Sequence, residues 1–178
     1  DTAEVKDGKF SMKTTSGEEG LYRIRFENNP GFVVINDVSD LVLNANAADS
    51  TLKTVKVSSP STSSLYNFIL TLDSIHTQLL QDDQARQIYM QSGNDSMAAQ
   101  ISESFNKTQK YSNDYITKYA DTAKSPVVAL FALSYAMDAG QDVVTNLLGN
   151  IKKKWPNNTS VKEVAAQFDA FTQALNGQ

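Results

Sequence analysis

The sequence predicts an α+β protein: a small antiparallel β-sheet or partial sandwich over residues 1–59, followed by an irregular helical bundle over residues 60–178. Three observations predict it. Apolar residues recur with period two, between turn signals, as far as Val57. From Leu65 onward they recur at spacings of three and four. Between the two lies Val55–Leu65, where Ser58-Ser59-Pro60 interrupts one periodicity before the other begins.

At 178 residues the chain can bury one good core, or two small modules packed together, without disulfides or metals. The absence of cysteine excludes thiol chemistry and cysteine metal sites within it. A net charge of −4 argues against a nucleic-acid partner, which needs clustered Lys and Arg. The one dense basic run, Lys152-Lys153-Lys154, reads as favourable charge in the last turn of a helix. No apolar run approaches a membrane span, and no basic-then-apolar leader opens the sequence, so the expectation is a cytosolic chain or a mature, trimmed product.

In the first third, Asp7-Gly8 signals a turn before a short strand at Phe10–Lys13. Leu21–Phe26 is the clearest strand, with Tyr22, Ile24 and Phe26 on one face and Leu21, Arg23 and Arg25 on the solvated other. Asn28-Asn29-Pro30-Gly31 is dense in turn formers, and Phe32–Ile35 suits a strand covered on both faces until Asn36 and Asp37 end it. Leu41–Leu43 and Leu52–Val57 bring the set to about five strands. So narrow a sheet leaves edges and a face for the helices to cover.

Beyond Pro60, the serines and Thr62 offer N-caps for a helix with a stripe at Leu65, Phe68, Ile69, Leu72, Ile75, Leu79 and Leu80. Gly93-Asn94 ends it, unless Asp82-Asp83 does so earlier. A second helix carries Met97, Ile101, Phe105, Ser112, Ile116 and Tyr119 on one face, with Tyr111 and Tyr115 on its shoulder. Ser125-Pro126 starts a third helix that Gly140 closes; Val143, Val144, Leu147, Leu148 and Ile151 form a fourth, stopped by Trp155-Pro156. Ser160 and Glu163 fit a capping box for a fifth, striped by Val161, Val164, Phe168, Phe171 and Leu175. No period of helical hairpin repeats is present, which disfavours a solenoid.

Residues with chemical potential are few, and no catalytic, cofactor-binding or metal-binding residue is assigned. His76 is the only histidine; it lies in the apolar arc of the first helix and reads as packed or half-exposed. Asp73, His76 and Asp83 approach one helical line, a weak metal set without ligands from a second element. Glu18-Glu19 and Asp82-Asp83 are adjacent acids whose side chains diverge, so neither is a general acid/base pair. Tyrosines 111, 115 and 119, four apart, are a stacking platform for a sugar or a base, or ordinary helix packing. The sequons at Asn157 and Asn158 matter only where glycosylation machinery exists.

The segments Val5-Lys6-Asp7-Gly8-Lys9-Phe10-Ser11-Met12, Gly20-Leu21-Tyr22-Arg23-Ile24, Leu41-Val42-Leu43 and Val55-Lys56-Val57-Ser58-Ser59 together resemble a domain of unknown function. That domain precedes the thioredoxin-like domain of many Bacteroidetes envelope proteins. There, an Asp-Gly-x-Phe strand and a Leu/Tyr strand precede one ending in Val-x-Gly-Ser; Ser58 stands here for the glycine. Trp155-Pro156 to Leu175 resembles the stretch leading into the redox domain. Family members have further strands before the position of Asp1 and the redox domain after that of Gln178, so the resemblance implies an excised fragment or a reduced version.

The resemblance further implies an exported protein facing the periplasm, tied to the membrane only through a lipid anchor outside this chain. Its partner would be the thioredoxin-like domain of the same protein or another protein, with homodimerisation open to an exposed sheet edge. No cofactor and no catalytic residue carry over. The expectation is therefore a non-catalytic accessory module, with a stand-alone envelope protein binding glycan or peptide as the alternative, and a hydrolase or metal enzyme around His76 and Asp73 as a third possibility.

Overall fold

The computed structural model describes residues 2–13, 15–26, 29–46 and 51–176. Among these residues two small antiparallel ribbons precede five helices, an α+β arrangement. Strand β1 (Leu21–Phe26) pairs with β2 (Asn29–Ile35), with Leu21 opposite Ile35 and Ile24 opposite Phe32. The register shifts between Ile24 and Phe26. Gly31 makes that irregularity feasible: its φ is +80°, and a Cβ there would lie 1.8 Å from the Ile24 carbonyl oxygen. The turn expected around Asn28 lies partly outside the described residues, and Asn29 and Pro30 already belong to β2.

The other expected strands are shorter than the alternation suggested. Asp7 and Gly8 both have positive φ and form the turn joining a Lys6–Lys9 bridge, but Phe10–Lys13 pairs with nothing as a strand. Phe10 instead meets Phe26 edge to face at 5.9 Å, and Phe26 meets Phe32 in the same way at 6.1 Å. The second ribbon is only β3 (Leu43–Asn44) with β4 (Lys56–Val57), while Leu52–Thr54 is a 3-10 turn. Side chains on these segments are at most half-buried, so no second apolar face rewards a longer ladder.

Helix α1 (Pro60–Gln91) is capped by Ser59, two residues before the first serine after Pro60. Ser59 Oγ accepts from the Thr62 amide at 2.9 Å, and Pro60 takes the first helical position, where a missing N–H costs nothing. Thr62, fully buried, ties the helix to the sheet by accepting from the Ile35 amide at 2.8 Å. The helix runs through Asp82-Asp83 and stops at Ser92, with Gly93 at φ +71°. Asn94 then caps α2 (Asp95–Thr122) through the Met97 amide.

Ser125 caps α3 (Pro126–Tyr135), and after a 3-10 turn Gly140 opens α4 (Gln141–Lys154). The cap of α5 (Thr159–Asn176) is Asn158 rather than Ser160: its Oδ1 accepts from the Val161 amide at 3.0 Å and its carbonyl from the Lys162 amide. Asparagine is at least as good a cap as serine, and here it lies one residue before the helix begins. Along α5, Val161 and Ala165 are buried and Val164 and Phe168 pack partly buried against the core, but Phe171 is 57% exposed, so the expected stripe is covered as far as Phe168. The side chain of Leu175 lies outside the described residues.

The main core joins Ile35 of β2 to Leu65 and Phe68 of α1, Ile116 and Ala120 of α2, Val128, Ala129 and Ala132 of α3, and the buried faces of α4 and α5. Its contributions from α1 and α2 come from Leu65–Leu72 and Tyr115–Ala120. The remaining halves of these helices pair mainly with each other as a two-helix arm, about 48 Å long if all of α1 is counted. Buried Asp82 links them there, accepting from Gln78 at 2.8 Å and from Ser104 across the pair at 3.0 Å. No helix among the described residues is long and apolar enough to cross a membrane.

Candidate functional site

Two places gather side chains with chemical potential. The first is where the strand segment meets the helices. Glu18 accepts from the Thr159 amide at 2.9 Å, the Thr159 hydroxyl at 2.7 Å and the Asn158 side chain at 3.1 Å, sealing the first turn of α5. Those Thr159 donors hold its carboxyl below the ordinary glutamate range, with a smaller contribution from the Lys162 charge. Glu19 accepts from the hydroxyl of Ser125, whose oxygen in turn accepts from the Val128 amide at the start of α3.

Asp37 takes the Ser61 amide at 2.7 Å in the first turn of α1. Burial pushes its pKa up, but hydrogen bonding from Ser59 and Ser61 outweighs this and leaves the carboxyl below the usual aspartate range. Three acids from the strand segment thus serve three helix N-termini, where unpaired amides and the helix dipole favour negative charge. Asn36 braces the arrangement, accepting from the Gly20 amide at 2.5 Å and donating to the Glu18 carbonyl.

The second place is an aromatic stack on α2. Tyr111 lies parallel to Tyr115 at 6.4 Å, Tyr115 to Phe68 at 5.8 Å, and Phe68 to Tyr119 at 4.6 Å. Phe131 and Tyr135 of α3 meet Phe68 edge-on at 6.3 and 5.7 Å. Exposure is graded along the stack: Tyr111 is 57% exposed, Tyr115 and Tyr119 are half-buried, and Phe68 is fully buried. The Tyr119 hydroxyl donates to the Ser64 carbonyl at 2.6 Å, and burial raises its pKa while the Ser64 hydrogen bond partly offsets this. Tyr66 likewise donates to the Val33 carbonyl, and burial pushes its pKa up to about 12.

Tyr111 also lines an open groove of about 490 Å³ with Asn67, Leu70, Thr71, Ser74 and Ile75 of α1. A second groove of similar size lies between α2 and α4, where Asn150 donates to Asp121 at 2.9 Å.

The other singled-out residues are dispersed. His76 is exposed, neither packed nor half-exposed as its place in the apolar arc suggested, because that arc reaches the main core only as far as Leu72. Asp73 is exposed too, while Asp83 turns along its own helix to Arg86 at 2.6 Å and Gln87 at 2.8 Å. No group of three potential metal ligands occurs among the described residues. Asp82 and Asp83 diverge, as do Glu18 and Glu19. Arg23 and Arg25 lie on the exposed face of β1. Lys154, ending the basic run, donates to the Ala123 carbonyl at the end of α2 and lies 4.8 Å over the Trp155 ring.

Sequence reasoning did not foresee the helix-sealing roles of Glu18, Glu19 and Asp37, nor Phe68 at the centre of the stack. The partners of Glu18 lie 140 and 141 residues away, beyond the reach of any local pattern. Against known proteins the chain finds no match: no family model, no curated protein and no solved structure.

Proposed function

We propose that this chain is a non-catalytic accessory or interaction module of a thiol–disulfide oxidoreductase-like envelope protein, facing the periplasm and working beside a thioredoxin-like domain. The observation that carries this reading is how its polar side chains are used. Glu18, Glu19, Asp37, Ser59 and Ser125 are spent on helix ends, coupling the strand segment to the bundle. That is the pattern of a scaffold that presents surfaces. The Asp-Gly turn and the Leu/Tyr strand add support through the resemblance they carry, and the chain has no cysteine of its own for thiol chemistry. An insulin-reduction assay tests the reading: the purified chain is expected to give no turnover above buffer, and turnover would overturn it.

A second reading, a stand-alone envelope protein that binds glycan or peptide, is favoured by one observation. Tyr111 is exposed at the rim of a groove and is held from behind by Tyr115. The half-burial of Tyr115 and Tyr119 confines any such site to the Tyr111 end of the stack.

A further inference from the structure

We propose that the groove beside Tyr111 is a subsite for a neutral saccharide, with one sugar ring stacked on the Tyr111 face. This inference rests on the second of the two readings above and narrows it to one ligand class and one place.

Four features of the groove lead there. Its six lining residues, Asn67, Leu70, Thr71, Ser74, Ile75 and Tyr111, carry no formal charge, so nothing in it offsets the cost of desolvating a phosphate, carboxylate or ammonium group. The aromatic ring is already positioned: Tyr111 is the outer member of a parallel stack anchored on buried Phe68, so little side-chain freedom is lost when a ligand settles on it. A flat, amphipathic ring with an apolar face and a polar tip matches a pyranose, which offers C–H groups on its faces and hydroxyls at its rim.

Hydrogen-bonding capacity comes third. Asn67 and Ser74 are exposed on α1, and the Thr71 hydroxyl donates to the Asn67 carbonyl, leaving its oxygen to accept. An amide and two hydroxyls suit a ligand that both donates and accepts through hydroxyl groups. An extended peptide would instead need paired backbone donors and acceptors. Both walls are helices whose backbone groups are committed to their own ladders, so the groove has no edge to offer. Finally, its volume of about 490 Å³ falls within the range of small-ligand sites, and its open form fits a chain that continues past the bound ring.

The test titrates the ¹⁵N-labelled chain with maltohexaose, cellohexaose and chitohexaose, and in parallel with a neutral proline-rich peptide, each up to roughly 10 mM. At least one sugar is expected to shift the amides of Asn67, Thr71, Ser74 and Tyr111. Tyr111→Ala is expected to weaken that binding about tenfold, while Tyr111→Phe, which keeps the stacking face, stays within about threefold of the parent. Unchanged spectra away from the groove show that each variant is folded. Shifts from the peptide with none from any sugar overturn the inference and leave the binding-protein reading standing. Sugar binding that Tyr111→Ala does not weaken overturns the assigned place. No response to any ligand overturns the inference together with the reading beneath it.

Discussion

Glu18 holds Thr159 by two atoms at once, accepting from its amide at 2.9 Å and from its hydroxyl at 2.7 Å, across 141 residues of sequence. A carboxylate from the strand segment thereby completes the N-terminus of the last helix. Glu18→Gln keeps the shape but replaces one of the two acceptor oxygens with an NH2 donor and makes the remaining bond neutral. Amide exchange at Thr159, Ser160 and Val161 is expected to quicken several-fold, with exchange in α2 unchanged. Equal change in both helices would mean that the contact is not local to α5.

The same contact sets a pH dependence. The Glu18 and Asp37 carboxyls both lie below their ordinary ranges in the folded chain, so the folded chain binds fewer protons there than the unfolded one. Their stabilisation is complete above the unfolded values, about 4.3 for Glu and about 3.9 for Asp, and is lost as pH falls through the lower folded values. Urea midpoints measured from pH 6 down to about pH 2.5 should fall below pH 4.5, and the Glu18→Gln, Asp37→Asn double variant should show a shallower fall.

Ser125 serves two partners, capping α3 at the Val128 amide and donating to Glu19. Ser125→Ala removes both and is expected to cost about 1–2 kcal/mol. Glu19→Gln alone should cost less, and the double variant should cost less than the sum, since the two residues share one hydrogen bond. Strict additivity in denaturant melts would show that the Glu19 contact contributes nothing.

At Gly31, any Cβ meets the Ile24 carbonyl oxygen at 1.8 Å on a backbone with φ of +80°. Gly31→Ala should therefore lower stability by at least about 2 kcal/mol, or about 5 °C in Tm for a chain of this size. Gly17→Ala, where nothing lies within 4 Å and φ is ordinary, should leave Tm unchanged.

Phe68→Ala would empty the centre of the aromatic stack. A fully buried phenylalanine truncated to alanine costs about 4 kcal/mol, and the near-UV dichroism of Tyr115 and Tyr119 should collapse with it. Phe68→Leu should retain most of the stability while losing the same spectral signal, which separates packing from ring contact.

The helices were largely legible because their signals are local. Ser125-Pro126, Gly93-Asn94 and Trp155-Pro156 each mark a boundary with chemistry contained in two residues, and each boundary is where that chemistry puts it. The strands were less legible. Phe10–Lys13 alternates well yet pairs with nothing as a strand, since a strand needs a partner that its own sequence does not specify. Asn158 rather than Ser160 is the cap, and the acid that seals its turn is not the local Glu163 but Glu18, from the other end of the chain. Of the stack, the four-residue tyrosine spacing was visible, but Phe68 and the gradient of exposure belong to the packing of α1 against α2 and α3.

The arm formed by the outer halves of α1 and α2 is anchored in the core only as far out as Leu72 and Tyr115. From Leu72 to Ser92 it extends about 30 Å, so a tilt of about 10° at its root carries the Ser92–Asn94 turn through about 5 Å. The Asn67–Ile75 wall of the groove and Tyr111 sit at that root, on the two limbs of the lever. A ligand that fixed the spacing of the limbs there would set the bearing of the whole tip, and a force applied at the tip would act at the groove as a torque about that root.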